Sequence, residues 1–170
     1  MTILETERLR LRRFRPTEDA PLFDRWAADE EFQRYLGPRR PGLEHIARHE
    51  AHWAEHGFGL LAVEWRATGE LIGRTGPQYH RAWPHDPEVG WSIDPAWWGR
   101  GIATEAGRAS IDWAFGELGF ARVVSITTEG NVASRRVMEK LGFRLLTILP
   151  WERWDLWVHA VDRGGGAGRA

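Results

Sequence analysis

Apolar and polar positions alternate near the start of the chain. Leu9 and Leu11 interleave with arginines and Phe14 extends the pattern, which predicts a half-buried strand with a basic outer face. Pro16-Thr17-Glu18-Asp19 reads as a helix start with Thr17 as its cap, and Leu22, Phe23 and Trp26 fall on one helical side. A break from Gly37-Pro38 to Pro41-Gly42 separates it from a second helix at about Leu43 to Glu55. Gly59 to Trp65 and Leu71 to Thr75 predict a hairpin turning at Ala67 to Glu70. From Gly76 to Pro87 the prolines predict a loop. Val89 to Ile93 is a short apolar run for a buried strand, and a helix follows from about Ile102 to Leu118. Arg122 to Thr128 is a β-branched strand. Asn131 caps a helix over Val132 to Leu141 that stops at Gly142, and Phe143 to Leu149 with Trp154 to Ala160 close the pattern as strands turning at Pro150-Trp151. The order βααβββαβαββ, with strand, helix and strand joined by a right-handed crossover, predicts an α/β sandwich on a mixed sheet.

Composition narrows the class. Apolar residues are 42% and charged ones 28%, an ordinary globular balance for 170 residues in one domain. A net charge of −1 argues against a general nucleic-acid or anionic-membrane binder. With no cysteine, disulfides, thiolate nucleophiles and cysteine-ligated zinc are excluded. No apolar run has membrane-spanning length and the N-terminus lacks a signal-peptide core, so a cytoplasmic protein is expected. The glycine-rich end, 164–170, is expected to be a disordered tail behind one domain over 1–163.

The stretch that carries chemistry is Glu88 to Leu118. Gly99 and Gly101 bracket Arg100 between a strand and a helix start, where unpartnered amides and the helix dipole favour an anion. A phosphorylated ligand is expected there. A dinucleotide fingerprint fails, because the third glycine position is Thr104 and Glu129 lies too far on to be the ribose acid. A Walker loop fails because no GKS or GKT follows.

Two motifs in order carry a resemblance. Trp98-Gly99-Arg100-Gly101-Ile102-Ala103 resembles the pyrophosphate signature Q/R-x-x-G-x-G/A of the GNAT superfamily of N-acetyltransferases. The run from Asn131 through Ser134 to Glu139-Lys140-Leu141-Gly142-Phe143 resembles its second cofactor segment, and the opening ETERLRLRRF and Leu71-Ile72-Gly73 also match. The branch most resembled is that of the ribosomal-protein N-terminal (alanine/serine) acetyltransferases. The resemblance implies a mixed, mostly antiparallel sheet of about seven strands, with a splayed parallel pair in the middle and helices on both faces.

It also implies acetyl-CoA as cosubstrate, no metal, and an amine acceptor that is either a protein N-terminus or a small molecule, with no nucleic acid or membrane and a monomer or homodimer. The pyrophosphate is expected on Gly99, Arg100, Gly101, Ile102, Ala103 and Thr104. Trp98 stands at the usual Gln/Arg position and contributes through its backbone. Trp91 to Ile93 is expected to pair with the pantetheine arm, which Asn131 bonds from the far side. Glu88 is the expected general base, with His80, His85, Asp86 and Asp155 as alternatives. Met138 occupies the place of a thiolate-protonating Tyr, and the only tyrosines are Tyr35 and Tyr79, so Ser134 is the expected sulfur or pantetheine contact. Direct transfer in a ternary complex follows from the lack of a cysteine. The alternative function is a non-catalytic acyl-CoA-binding or sensing module. His45, His49, His52 and His56 line one helix face; without HExxH they read as a solvated or cleft-facing stripe rather than a metal site.

Overall fold

Local alternation and turn chemistry account for most of the elements. The computed structural model describes residues 2–164. β1 (Thr2–Glu5) and β2 (Leu9–Arg12) open the chain, followed by α1 (Pro16–Ala28), the short α2 (Glu30–Gln33) and α3 (Gly42–His56). β3 (Leu61–Trp65), β4 (Glu70–His80) and β5 (Trp83–Ile93) form a meander that leads through a 3₁₀ turn into α4 (Ile102–Gly116). β6 (Arg122–Thr128), α5 (Val132–Lys140), β7 (Arg144–Trp151) and β8 (Trp154–Asp162) complete it. The eight strands lie in the order β1-β2-β3-β4-β5-β6-β8-β7. All pairs are antiparallel except β5 with β6. That is the expected mixed sheet with one more strand, β1, at its edge. No helix among the described residues is long and apolar enough to cross a membrane.

Side chains alternate across the sheet, so register assigns its faces. Thr75, Val89 and Ile93 turn toward α4, where Ile102, Ala106 and Ile111 are buried with them. Arg74, Gln78 and Glu88 turn the other way, since Arg74 pairs with Ser92 and Gln78 with Glu88. On that face Phe23 and Trp26 of α1, Ile46 of α3, and Leu60 and Ala62 form a separate core.

Four expectations need correction. The segment 76–87 is not a loop: β4 runs on to His80, turns at 81–82 and returns as β5 in a second hairpin. Its prolines are tolerated because β3 pairing ends at Leu61 with Thr75 and β6 meets β5 only at Glu88, so Pro77, Pro84 and Pro87 lie where a strand has a single neighbour. Thr17 does not cap α1. Arg15 is the N-cap residue and makes no side-chain capping bond, and Asp19 accepts the Arg15 amide at 2.8 Å instead. The basic face of β2 is only partly solvated: Arg10 keeps 36% of its side chain exposed, but Arg12 is 3% exposed, bonded to Asp19 at 2.8 and 3.0 Å and to Glu64 at 2.7 Å, under α1. Finally, the last hairpin turns at Glu152, which has a φ of 54°, because Trp151 still pairs with Trp154. The tail expectation at 165–170 lies outside the described residues; Gly164 ends them in a turn.

Candidate active site

The site begins where the sheet opens. β5 and β6 share one register pair, Glu88 with Val124, and then diverge. On the β4 side the backbone is fully engaged: Asp94 donates to the Ile72 carbonyl at 2.8 Å, and the Thr75 hydroxyl donates to the Gly90 carbonyl at 2.9 Å beside Ser110. By alternation, Trp91 and Ile93 turn their backbone groups to the open side. The Ile93 carbonyl there is taken by the Trp98 indole at 2.6 Å. The opening continues as a cleft of about 1020 Å³.

Glu88, Trp91, Asn131 and Ser134 all line this cleft. Glu88 is 8% exposed. Burial pushes its carboxyl above the usual range, while the His80 charge, Gln78, the Ile126 amide and Arg74 pull the other way. Gln78 Nε2 donates to Glu88 Oε2 at 3.5 Å, and a Cβ built on Gly90 would meet only Glu88 Oε1, at 3.9 Å. The glycine therefore leaves the space in front of the carboxylate open. Asn131 caps α5 as expected, its Oδ1 accepting the Ser134 amide at 3.2 Å. That bond fixes both residues at the cleft wall.

Gly99 to Thr104 form a second region outside the cleft lining, at the foot of α4. Gly99 and Gly101 hold φ of 74° and 76°, the left-handed region that glycine alone enters without strain. A Cβ at Gly99 meets nothing within 4 Å, and at Gly101 only Arg8 Nη2 at 3.6 Å, so the turn is open. The Ile102 side chain is core at 1% exposure. Its amide, with those of Ala103 and Thr104, has no partner inside the helix by helix geometry. The Arg100 guanidinium lies 4.8 Å from the Trp97 ring, and Trp97 packs on Trp65 at 5.0 Å. Trp98, by contrast, is 47% exposed.

The chain matches the Acetyltransferase (GNAT) domain model over residues 8–144. It belongs to the GNAT acetyltransferase family. This GNAT protein is 32% identical over 158 residues to the Bacillus subtilis (strain 168) protein YkkB, covering 89% of this chain and 91% of that one. The crystal structure of an acetyltransferase from Agrobacterium tumefaciens str. C58 superposes with a TM-score of 0.84 at 29% identity, over 94% of both chains. The fold is also that of RimL, a ribosomal α-N-protein acetyltransferase in complex with coenzyme A, with a TM-score of 0.79 at 15% identity over 97% and 99% of the two chains.

Several residues of the GNAT protein's cleft escaped sequence reading. Arg74 is half-buried beneath α3, and its Nη1 bonds the Nε2 of His45 and, at 3.0 Å, of His49. These imidazoles pack on Phe23 and Phe14. Burial and the Arg74 charge lower His45 to about 3 and His49 to about 2, so both are neutral acceptors. The first half of the histidine stripe is thus a cleft-facing support for an arginine. His52 instead bonds the Phe58 carbonyl and the Tyr79 amide. No group of three metal-binding side chains occurs among the described residues. The legible signal was a lone arginine between Gly73 and Thr75 in an interior strand. Tyr35, also missed, donates to the Gly130 carbonyl at 2.9 Å.

Proposed function

We propose that the protein transfers the acetyl group of acetyl-CoA to a primary amine by direct transfer in a ternary complex, as an N-acetyltransferase. The observation that carries this is Glu88: a buried carboxylate with a raised pKa, at the point where the parallel strands part, facing open space over Gly90. The residues fit acetyl-CoA. The open glycine turn and the free amides of α4 suit its diphosphate, and the strand edge at Trp91 and the Ile93 amide suit its pantetheine arm. Thr128 Oγ1, in the cleft wall beside Asn131, is a buried hydroxyl with no partner among the described residues, a further polar group for that arm.

Acetyl-CoA supplies a thioester, activated toward attack by an amine. The acceptor arrives as an ammonium and must lose a proton. Glu88 takes that proton directly or through a water, and its raised pKa brings it closer to neutrality, where a base works best. The hydroxyl of Ser134, a residue whose backbone amide donates to the Asn131 cap, is the group for the thioester sulfur. The chain has no cysteine to carry an acyl group, which supports the direct route. The branch of ribosomal N-terminal acetyltransferases agrees with the shared fold, and either a protein N-terminus or a small amine serves as acceptor in this reading.

Amine-dependent thiol release from acetyl-CoA tests the function. Gly101→Val tests the diphosphate placement: a β-branched side chain at a φ of 76° fills the turn and strains it. Calorimetry should show acetyl-CoA affinity lost with the fold retained by thermal melting. Wild-type affinity would refute the placement, and tight acetyl-CoA binding without release for any amine would leave a non-catalytic binding module.

A further inference from the structure

A smaller cavity of about 260 Å³ opens off the cleft between the sheet and α1 and α3, sharing Arg74, Gln78 and His80 with it. Its wall carries three arginines (Arg40, Arg48 and Arg74) and no carboxylate. Arg40 is paired with Glu44 at 2.7 Å, whereas Arg48 and Arg74 have no ion pair among the described residues. A half-buried guanidinium without a carboxylate is unusual, because burying a charge costs free energy unless it is paired. His45 and His49 do not cancel that charge. As neutral imidazoles packed on Phe14 and Phe23 they accept one edge of the guanidinium and fix its plane, and bring no negative charge to it. Glu88 attracts it from a distance, but its carboxylate bonds Gln78 and makes no ion pair with Arg74 among the described residues. An arginine held by neutral acceptors and facing a cavity is a prepared anion site.

We propose that the amine acceptor also carries a carboxylate, which Arg74 binds while the amine lies at Glu88. This rests on the reading of the cleft as an acetyl-transfer site. Arg74 and Gln78 stand on one face of β4 four residues apart, roughly 13 Å along the strand at about 3.3 Å per residue. Gln78 is the register partner of Glu88. Arg74 and Glu88 line the same cleft without touching among the described residues, leaving a span for one small molecule. Phe23, Trp26 and Phe32 wall the cavity with aromatic surface, which suits an apolar body between the two charged ends. The acceptor class is therefore an apolar or aromatic amino-carboxylate, and polycationic amines are disfavoured. A free amino acid whose amine and carboxylate are separated by an apolar spacer, and a peptide N-terminus with an acidic neighbour, share this chemistry.

The test pairs each carboxylate with its own amide. With acetyl-CoA, thiol release is measured for para-aminomethyl benzoate against its benzamide, 6-aminohexanoate against its amide, and an aspartyl-containing dipeptide against its asparaginyl counterpart. A charge-assisted arginine contact predicts a kcat/KM roughly ten- to hundred-fold higher for the carboxylate in at least one pair. The pair that responds tells a free amino acid from a peptide. In Arg74→Gln that ratio should fall to about one. Equal rates within every pair, or a ratio unchanged in Arg74→Gln, overturns the proposal. If no amine releases thiol, acetyl transfer has failed, and thermal shift decides the anion site alone. Phenylacetate should raise the melting temperature more than phenylacetamide in wild type and not in Arg74→Gln, and equal shifts in wild type overturn it.

Discussion

Replacing Glu88 by Gln changes one charge and almost no volume. The isostere keeps an oxygen that can accept the Gln78 amide, so packing around the Val124 rung is retained. General-base catalysis contributes about 10²–10⁴-fold in rate. At 1.36 kcal/mol per tenfold, the variant loses about 3–5 kcal/mol of transition-state stabilisation. Steady-state thiol release at saturating acetyl-CoA reads this as a fall in kcat, with cofactor affinity by calorimetry unchanged. Stability should move the opposite way. Burial raises the Glu88 pKa in the folded state, so the ionised carboxylate opposes folding at neutral pH. The contribution of a group whose folded pKa is raised is fully present below the unfolded pKa and is lost as pH rises through the folded one. Glu88→Gln should thus melt at or above the wild-type temperature at pH 8, with the gap closing as the pH is lowered and the wild-type carboxyl protonates. The acid limb of the wild-type kcat/KM profile should lie above the ordinary glutamate range. A variant within about threefold of wild-type kcat, against the expected 10²-fold or more, removes Glu88 from the chemistry. Loss of activity accompanied by a lower melting temperature at every pH instead assigns Glu88 a structural role.

Arg12→Ala should cost about 3–5 kcal/mol in urea denaturation, because it leaves Asp19 and Glu64 as buried carboxylates without their shared partner. Burial alone would raise Glu64, yet the bonds from Arg12 and Arg10 hold it below the usual range, so this stabilisation is present above the unfolded carboxylate pKa and fades as pH falls through the lowered one. A loss under about 1 kcal/mol would contradict the network's importance. Asn131→Ala should destabilise by about 0.5–2 kcal/mol through loss of the α5 cap and weaken acetyl-CoA binding, and Asn131→Asp should restore the stability alone. Unchanged affinity in Asn131→Ala takes the residue out of the cofactor contact.

The legible parts of the molecule are those set by neighbours in sequence. The stretch from Val89 through the glycine turn into α4 depends on local apolar runs and on residues that tolerate positive φ, and it folds as read. Asn131 was identifiable as a cap because its partner is three residues away. What was hidden depends on distant partners. Prolines at 77, 84 and 87 signal a loop until the ends of β3 and β6 show that only one side of each strand is paired there. Arg12 looks like surface until Asp19 and Glu64 close over it. Arg74 acquires meaning only beside two histidines 29 and 25 residues earlier. Glu88, Asn131 and Ser134, singled out in the sequence, line one cleft, whereas the Arg74 side of that cleft arises from tertiary packing.

The single Glu88–Val124 rung has a mechanical consequence. Ladder bonding runs from β1 to β5 and again through β6, β8 and β7, and between these panels the sheet is perforated rather than sewn. Backbone amides at Trp91 and Ile93 sit mid-sheet yet should exchange hydrogen with solvent as fast as those at an outer margin. A ligand laid along that tear acts as the absent strand, so occupancy and cohesion of the two panels rise together.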